Sequence, residues 1–407
     1  MTTRRDLLKS LMLAGGFSLL PLGRAGWALA APREAQRRMV VILMRGAVDG
    51  LNIVTPYMER NYYNVRSTIA LPPPNNGGLI DLDGFFGLNP ALAPVMPLWQ
   101  NRTLAFIHAS GSPATTRSHF EAQDILETAM LNSAMATQGW MNGLAQILPG
   151  PDAPTRTLSF GDRLPKIFQG HYNVMTVPTR VRANARPEDP RVANAFDNLY
   201  GANTELSGLY RQGMSAQASI SQDMQDEMIA SARGAPGVDA FVLETTQAAA
   251  MMRRDPTIQL LFMDVGGWDT HVGQGGVKGQ LSNRLEKLGQ GLAALAQGLG
   301  DDYNNTAILV MSEFGRTVAE NGNGGTDHGH GNVAWLLGGG VQGGKVWSRW
   351  PGLDRDKLYQ ARDLNVTTDF RAIIAAVMNG HLGMNGRQIR SVIPDCPFDA
   401  GLNGIVT

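Results

Sequence analysis

A single cysteine, Cys396, stands in a chain of 407 residues, so no intrachain disulfide can hold this fold. Charge is also sparse. Only 17% of residues are Asp, Glu, Lys or Arg, 35 of each sign, and no block of bases occurs, which argues against a nucleic-acid partner. Four of the bases, Arg4, Arg5, Lys9 and Arg24, lie in the first thirty residues beside one acid, Asp6; without that stretch the chain is about three charges negative. No apolar run makes a comfortable membrane span, because Leu11 to Leu22 is short and interrupted by Gly15, Gly16 and Pro21. The glycine run from Gly338 to Gly344 lacks a Lys-Ser/Thr ending, which removes a P-loop. There is no solenoid-period repeat and no low-complexity segment. Histidine numbers seven, so its clustering in short motifs carries information.

What the chain does have begins with an address. Thr3-Arg4-Arg5-Asp6-Leu7-Leu8-Lys9 resembles the twin-arginine export motif, and Ala28-Leu29-Ala30 offers a small-residue cleavage site. The expectation is a signal peptide over 1–30, a mature domain over 31–407 with no stable membrane span after cleavage, and a protein in the periplasm or outside the cell. The twin-arginine translocase is then a partner during export. Such substrates cross already folded, which fits a protein without disulfides.

Four buried strands end in chemistry. Met39 to Met44 runs into Arg45-Gly46-Ala47-Val48-Asp49, where Asp49 either ligates a cation or caps the following turn. Leu104 to His108 opens into Ser112-Pro113-Ala114-Thr115-Thr116-Arg117-Ser118-His119, which feeds a helix through about Met130. Hydroxyls at a helix start suit an anion, or simply cap the helix, and either way His119 faces the same mouth. Leu260 to Met263 leads into Asp264-Val265-Gly266-Gly267-Trp268-Asp269-Thr270-His271. Ala307 to Met311 leads into Ser312-Glu313-Phe314-Gly315-Arg316, then into a glycine-rich loop bearing Asp327, His328 and His330; a solvated turn is the plainer reading of that loop. None of these strands alternates, as expected for strands covered on both faces. The amphipathic helix from Gly279 to Leu299 makes a β-α-β crossover. The expected fold is therefore α/β, a doubly wound and mostly parallel sheet between helical layers, with a helical insertion at about 187–254. Open sheets of this kind bind ligands beyond the carboxyl ends of their strands. The helix from Thr368 to Gly380 is expected to be the last.

Gly-Gly-Trp-Asp-Thr-His at Gly266 to His271, Ser-Glu-Phe-Gly-Arg-Thr at Ser312 to Thr317 and Gly-Thr-Asp-His-Gly-His-Gly at Gly325 to Gly331 resemble the signatures of a family of twin-arginine-exported bacterial proteins of unknown function, related to the alkaline phosphatase and sulfatase superfamily. The resemblance covers nearly all of the mature chain and implies an alkaline phosphatase-like fold with a metal centre along the strand ends. It matches Asp49 to the ligand after the first strand and Thr115 to the nucleophile, with Thr116 and Ser118 as rivals. Asp269 and His271 match the acid and imidazole of the first metal site, with Asp264 as the alternative acid. His328 matches the late histidine ligand, with His330 as an extra. Glu313-Phe314 departs from the Asp-His that superfamily enzymes carry there, which weakens a second metal site.

Together these expectations describe an exported metal-dependent hydrolase of phosphate or sulfate esters, small-molecule or polymeric. Asp49, Asp264, Asp269, His271, Glu313, Asp327, His328 and His330 are the candidate ligands. Thr115, Thr116 or Ser118 is the nucleophile, and Arg316, Arg45 or Arg117 neutralises the oxyanion. Mixed carboxylate and imidazole donors suit Zn²⁺ or Mn²⁺, with Mg²⁺ or Ca²⁺ where carboxylates dominate. The alternative is a non-catalytic relative that keeps the fold and a cation and acts as a periplasmic or cell-surface partner or assembly protein.

Overall fold

The computed structural model describes residues 36–75, 77–151, 153–178 and 226–407. The export segment and residues 179–225, which take in the first part of the helical insertion expected at about 187–254, lie outside the described residues. The expected doubly wound α/β sheet is present. Its nine strands run in the order β11 (Lys345–Trp347), β5 (Leu104–Gly111), β10 (Asn332–Leu337), β9 (Thr306–Ser312), β1 (Arg38–Met44), β8 (Leu260–Val265), β6 (Thr157–Phe160) and β7 (Met175–Val177), with β12 (Thr368–Asp369) also on β5. A small second sheet joins β2 (Val54–Thr55), β4 (Gly87–Leu88) and β3 (Ile80–Asp81).

Every residue of β1 and β9 is buried, and alternation along β1 assigns them to two cores. Met39, Val41 and Leu43 pack with α1 (His119–Thr128), α2 (Trp140–Ile147) and α5 (Phe370–Ala376). Val40, Ile42 and Met44 pack with α3 (Val238–Arg254) and α4 (Gln280–Leu299). Along α4, Leu281, Leu285, Leu288, Leu292, Leu295 and Leu299 recur every three or four residues, one apolar stripe laid against the sheet. That periodicity fixes which face of the helix is buried.

Two expectations are refined. The crossover through α4 joins β8 to β9, but β1 sits between them, parallel to both, so the connection spans a strand. The mostly parallel sheet has its exception in β10, which follows the loop bearing Asp327, His328 and His330 and runs antiparallel to both β9 and β5. One expectation is corrected: α5 is followed by a π-type turn, Val377–His381, and then by a further helix, α6 (Gly386–Val392), because Gly383 at φ +69° turns the chain and Asn385 caps a new start. His381 is buried and donates Nε2–H to the Arg38 carbonyl (2.9 Å).

Register sets up the site. Met44 lies opposite both Val265 and Ser312, so β1, β8 and β9 end level with one another. β5 runs in the same direction as β9, because both are antiparallel to the intervening β10, and it ends on the same rim. Arg66 ties these ends together from inside: fully buried, it donates to both Asp49 carboxylate oxygens (2.6 and 3.1 Å), to Asn52 and to the carbonyls of Thr317 and Val318. Removing one partner of a buried pair leaves an uncompensated charge, so Arg66→Met is expected to cost about 3–5 kcal/mol of unfolding free energy in urea titrations. A loss below about 1 kcal/mol would show that the pair is not what holds these loops.

Candidate metal centre

Each chemical group sits just past a strand end. His119 is the first residue of α1, after β5; Asp269 and His271 follow β8; Glu313, Phe314 and Arg316 follow β9; His328 precedes β10. The Trp268 indole, wholly buried, donates to the Val265 carbonyl (2.9 Å) and pins the turn before Asp269. Gly46, at φ +114°, lets the β1 turn abut that backbone, since a Cβ there would stand 2.9 Å from the Asp269 nitrogen. Gly325 does the same for the DHGH loop, where a Cβ would meet the His271 carbonyl carbon at 2.4 Å.

Three imidazoles converge. His328 Nε2 lies 2.9 Å from His119 Nε2 and 3.0 Å from His271 Nε2. Their far nitrogens are all committed: His119 donates Nδ1–H to Glu313 Oε1 (2.8 Å), His271 to Asp327 Oδ1 (3.2 Å) and His328 to the Arg117 carbonyl (2.9 Å). With Nδ1 donating in every ring, each imidazole in its neutral form turns its Nε2 lone pair toward the centre. Lone pairs that close repel unless a cation lies among them.

Asp269 supplies the negative charge. Its Oδ1 lies 3.0 Å from His271 Nε2 and 3.3 Å from His328 Nε2, its Oδ2 lies 3.4 Å from His119 Nε2, and Arg316, itself buried, donates to Oδ1. Oδ2 is buried without a hydrogen-bond partner among the described residues. Burial by itself raises the Asp269 pKa, but the three histidines that close on it and the Arg316 charge outweigh it and hold the carboxyl far below its usual range. Burial also opposes charge on His119, yet its bonds to Asp269 and Glu313 push its pKa up to about 9. The cluster thus demands positive charge, and a proton is the least it accepts.

The donor set fits a divalent ion. Tetrahedral bonds of 2.0–2.2 Å place donor atoms roughly 3.3 Å apart, so the rings need only spread by a few tenths of an ångström. One donor atom each from Asp269, His271, His328 and the exposed Glu227 lies within 4.8 Å of the others, with Glu227 Oε1 3.8 Å from His328 Nε2. Asp269, His271 and His328 are therefore brought together as ligand candidates, and His119, foreseen as facing the same mouth, joins them. Glu227 was not anticipated: it lies in the stretch read as a helical insertion at about 187–254, far in sequence from every motif, and no local pattern marks it.

The other expected residues lie around this core or away from it. Glu313 stands behind His119, with Oε1 also accepting from Gly46 N (2.8 Å) and Gln123 (2.9 Å) and Oε2 from Ser312 (3.0 Å). Asp327 stands behind His271 and accepts from Asn321 as well. Asp49 is taken up by Arg66 and by Gln274 (2.7 Å), whose Oε1 accepts from Thr270 and Thr326 and so braces both ligand loops. Asp264 pairs with Arg45 (2.6 Å), which also meets Glu127 and Gln123. His330 stacks on Tyr359, with ring centres 4.2 Å apart. Arg316 grips Asp269 and Thr326. Thr116 donates to Glu121 (2.7 Å), while Thr115 and Ser118 are exposed on the loop before His119, their hydroxyls without a hydrogen bond among the described residues. Phe314 packs its ring on His119 (4.9 Å) and His328 (5.3 Å) and makes an apolar wall there.

The family model described as "Protein of unknown function (DUF1501)" matches residues 93–393. The chain belongs to this family. The matched span holds all five converging residues and leaves out β1 with Gly46 and Asp49. No curated protein matches the chain. Among solved structures, the chain is similar to Ps i-CgsB in complex with k-i-k-neocarrahexaose, at 12% identity over 77% of this chain and 68% of that one, with a TM-score of 0.39. It is similar to the C-terminal periplasmic domain of EcEptC from Escherichia coli in complex with Zn, at 9% identity over 75% and 73%, with a TM-score of 0.34. A protein in the alkaline phosphatase superfamily from Vibrio parahaemolyticus matches at 9% identity over 76% of this chain and 62% of its own length, with a TM-score of 0.36.

If the imidazoles hold an ion, His271→Ala is expected to abolish tight zinc uptake measured by elemental analysis after dialysis. Glu313→Gln, which weakens the support behind His119, is expected to lower zinc affinity about 10–100-fold in chelator competition. Unchanged uptake by His271→Ala would dismiss the centre.

Proposed function

We propose that this chain is an exported, divalent-cation-dependent hydrolase of phosphate or sulfate esters that works with one ion held by His119, His271, His328 and Asp269. The observation that supports this reading is the convergence of three Nε2 atoms on the buried Asp269 carboxylate, those of His271 and His328 at 3.0 and 3.3 Å from Oδ1 and that of His119 at 3.4 Å from Oδ2. Three nitrogens and an oxygen form a donor set that zinc takes readily and manganese accepts, whereas magnesium and calcium prefer all-oxygen sites. When bound, such an ion supplies Lewis acidity toward an ester oxygen.

The chain's own residues do the rest. Arg316 keeps Asp269 ionised and aimed inward, and Glu313, Asp327 and the Arg117 carbonyl keep the three rings in one tautomer. Thr115 and Ser118, exposed beside His119, are the hydroxyls placed to attack phosphorus or sulfur, displacing the alcohol and leaving an enzyme-bound ester for water to cleave. The substrate is a small-molecule or polymeric ester. Export is by the twin-arginine pathway, with residues 1–30 removed and residues 31–407 working in the periplasm or outside the cell, flanked by a helical subdomain at about 187–254. Among the described residues no helix is long and apolar enough to cross a membrane.

A second reading rests on Phe314. Its ring closes the side where a second cation would sit, which suits a metal-binding protein kept as a periplasmic or cell-surface partner without turnover. Metal analysis of the purified chain with a panel of aryl phosphate and aryl sulfate esters separates the two. The hydrolase reading expects about one ion per chain and turnover that a chelator removes and zinc or manganese restores. Bound metal without turnover on the panel, or turnover that survives changing Thr115, Thr116 and Ser118 to Ala together, goes against the mechanism given above.

A further inference from the structure

The four inner donors differ sharply from Glu227 in how they are held. Asp269 has a side chain with no exposure and His119 has 5%, while His271 and His328 reach 12% and 17%; Glu227 is 49% exposed. Each inner donor also has a partner at its back: Glu313, Asp327, the Arg117 carbonyl or Arg316. Among the described residues Glu227 has no such brace. Among the described residues its one ion pair is with His328 Nε2, at 3.8 Å.

The segment that carries Glu227 is nonetheless well anchored a few residues on. Gln123 donates to the Ser231 carbonyl (2.7 Å), and Arg233 pairs with Asp124 (2.7 Å) while its guanidinium lies over the Phe120 ring (5.7 Å). All three anchors belong to α1, the helix that begins with His119. The Glu227 carboxylate is thus delivered to the solvent side of the cluster by a fixed base, on a side chain that keeps its own rotamer freedom. Beside it, Arg117 and Arg362, with 28% and 42% of their side chains exposed, share the single carboxylate of Asp363, and Arg362 also donates to the His328 carbonyl. Two guanidiniums against one carboxylate leave a net positive charge at the same mouth.

We propose that Glu227 is an exchangeable ligand that closes the open face of the cation and is displaced by an anionic oxygen of a phosphate or sulfate group. Catalytic sites keep one position that the protein does not hold permanently, and the unbraced, solvated carboxylate is the donor that gives way. Its oxygen matches an ester's anionic oxygen in charge and donor type, so the two compete for one position. A site occupied internally about nine-tenths of the time binds its outside ligand about tenfold more weakly than it otherwise would. The inference rests on the metal-centre reading and adds the class of ligand that the open face takes.

The test uses the full chain loaded with cobalt(II) as a spectroscopic stand-in for zinc, with inorganic phosphate and inorganic sulfate as probes. Glu227→Gln and Glu227→Ala are expected to keep about one cobalt per chain, to differ from the wild type in the visible spectrum before anion is added, and to match it once anion saturates. They are expected to bind the anion about tenfold more tightly. Unchanged or weaker anion binding in both variants, or spectra that still differ at saturation, would overturn the role of Glu227. A wild-type chain that takes up no cobalt would overturn the centre and this inference together. Ester turnover absent while the cobalt spectra behave as expected would remove the hydrolase reading and leave Glu227 as the exchangeable ligand.

Discussion

Three imidazole nitrogens that face one another, His328 Nε2 at 2.9 Å from His119 Nε2 and 3.0 Å from His271 Nε2, are the constraint on which this site turns. The arrangement is imposed from behind. Glu313, Asp327 and the Arg117 carbonyl can only accept, so each ring must present its proton outward and its lone pair inward. Inside a protein such a gathering is unfavourable unless positive charge fills it, and Asp269, with a buried oxygen lacking a hydrogen-bond partner among the described residues, increases the demand. The candidate metal centre is thus an electrostatic consequence of the second layer of contacts as much as of the ligands themselves.

The scaffold supplies that geometry through register. Because β1, β8 and β9 end opposite one another, their following turns are forced into one small volume, and two glycines allow the backbones to meet there. Asp49 and Gln274 then serve as braces. Asp49 neutralises Arg66 and accepts from Gln274, while Gln274 accepts from hydroxyls on both ligand loops, so the loop after β1, the His271 turn and the DHGH loop form one hydrogen-bonded unit. An acid at a strand end looks like a ligand in sequence, yet here it acts two contacts away from the centre.

Phe314 gives the site its character. Its ring lies against His119 and His328, whose own rings meet nearly perpendicular at 4.3 Å. Glu313 beside it accepts hydrogen bonds from three partners on one oxygen and so serves as an orienting group. The adjacent pair Glu313-Phe314 therefore rebuilds the position: one residue supports an imidazole by charge and the other by packing.

Much of this was legible in the linear chain. Unalternating apolar runs at β1, β5, β8 and β9 marked buried strands, leucine spacing marked α4, and the clustering of scarce histidines after those strands marked the rim where a cation belongs. Those signals are local, set by side-chain periodicity and by the bias of glycine-rich turns toward strand ends. What the tertiary structure decided was which acids reach the centre. Asp49, Asp264 and Glu313 turned away because Arg66, Arg45 and His119 claimed them first, and Glu227 arrived from a helix with no motif at all. Pairing between residues two hundred positions apart depends on how strands register and loops pack, and no local pattern along the chain encodes it.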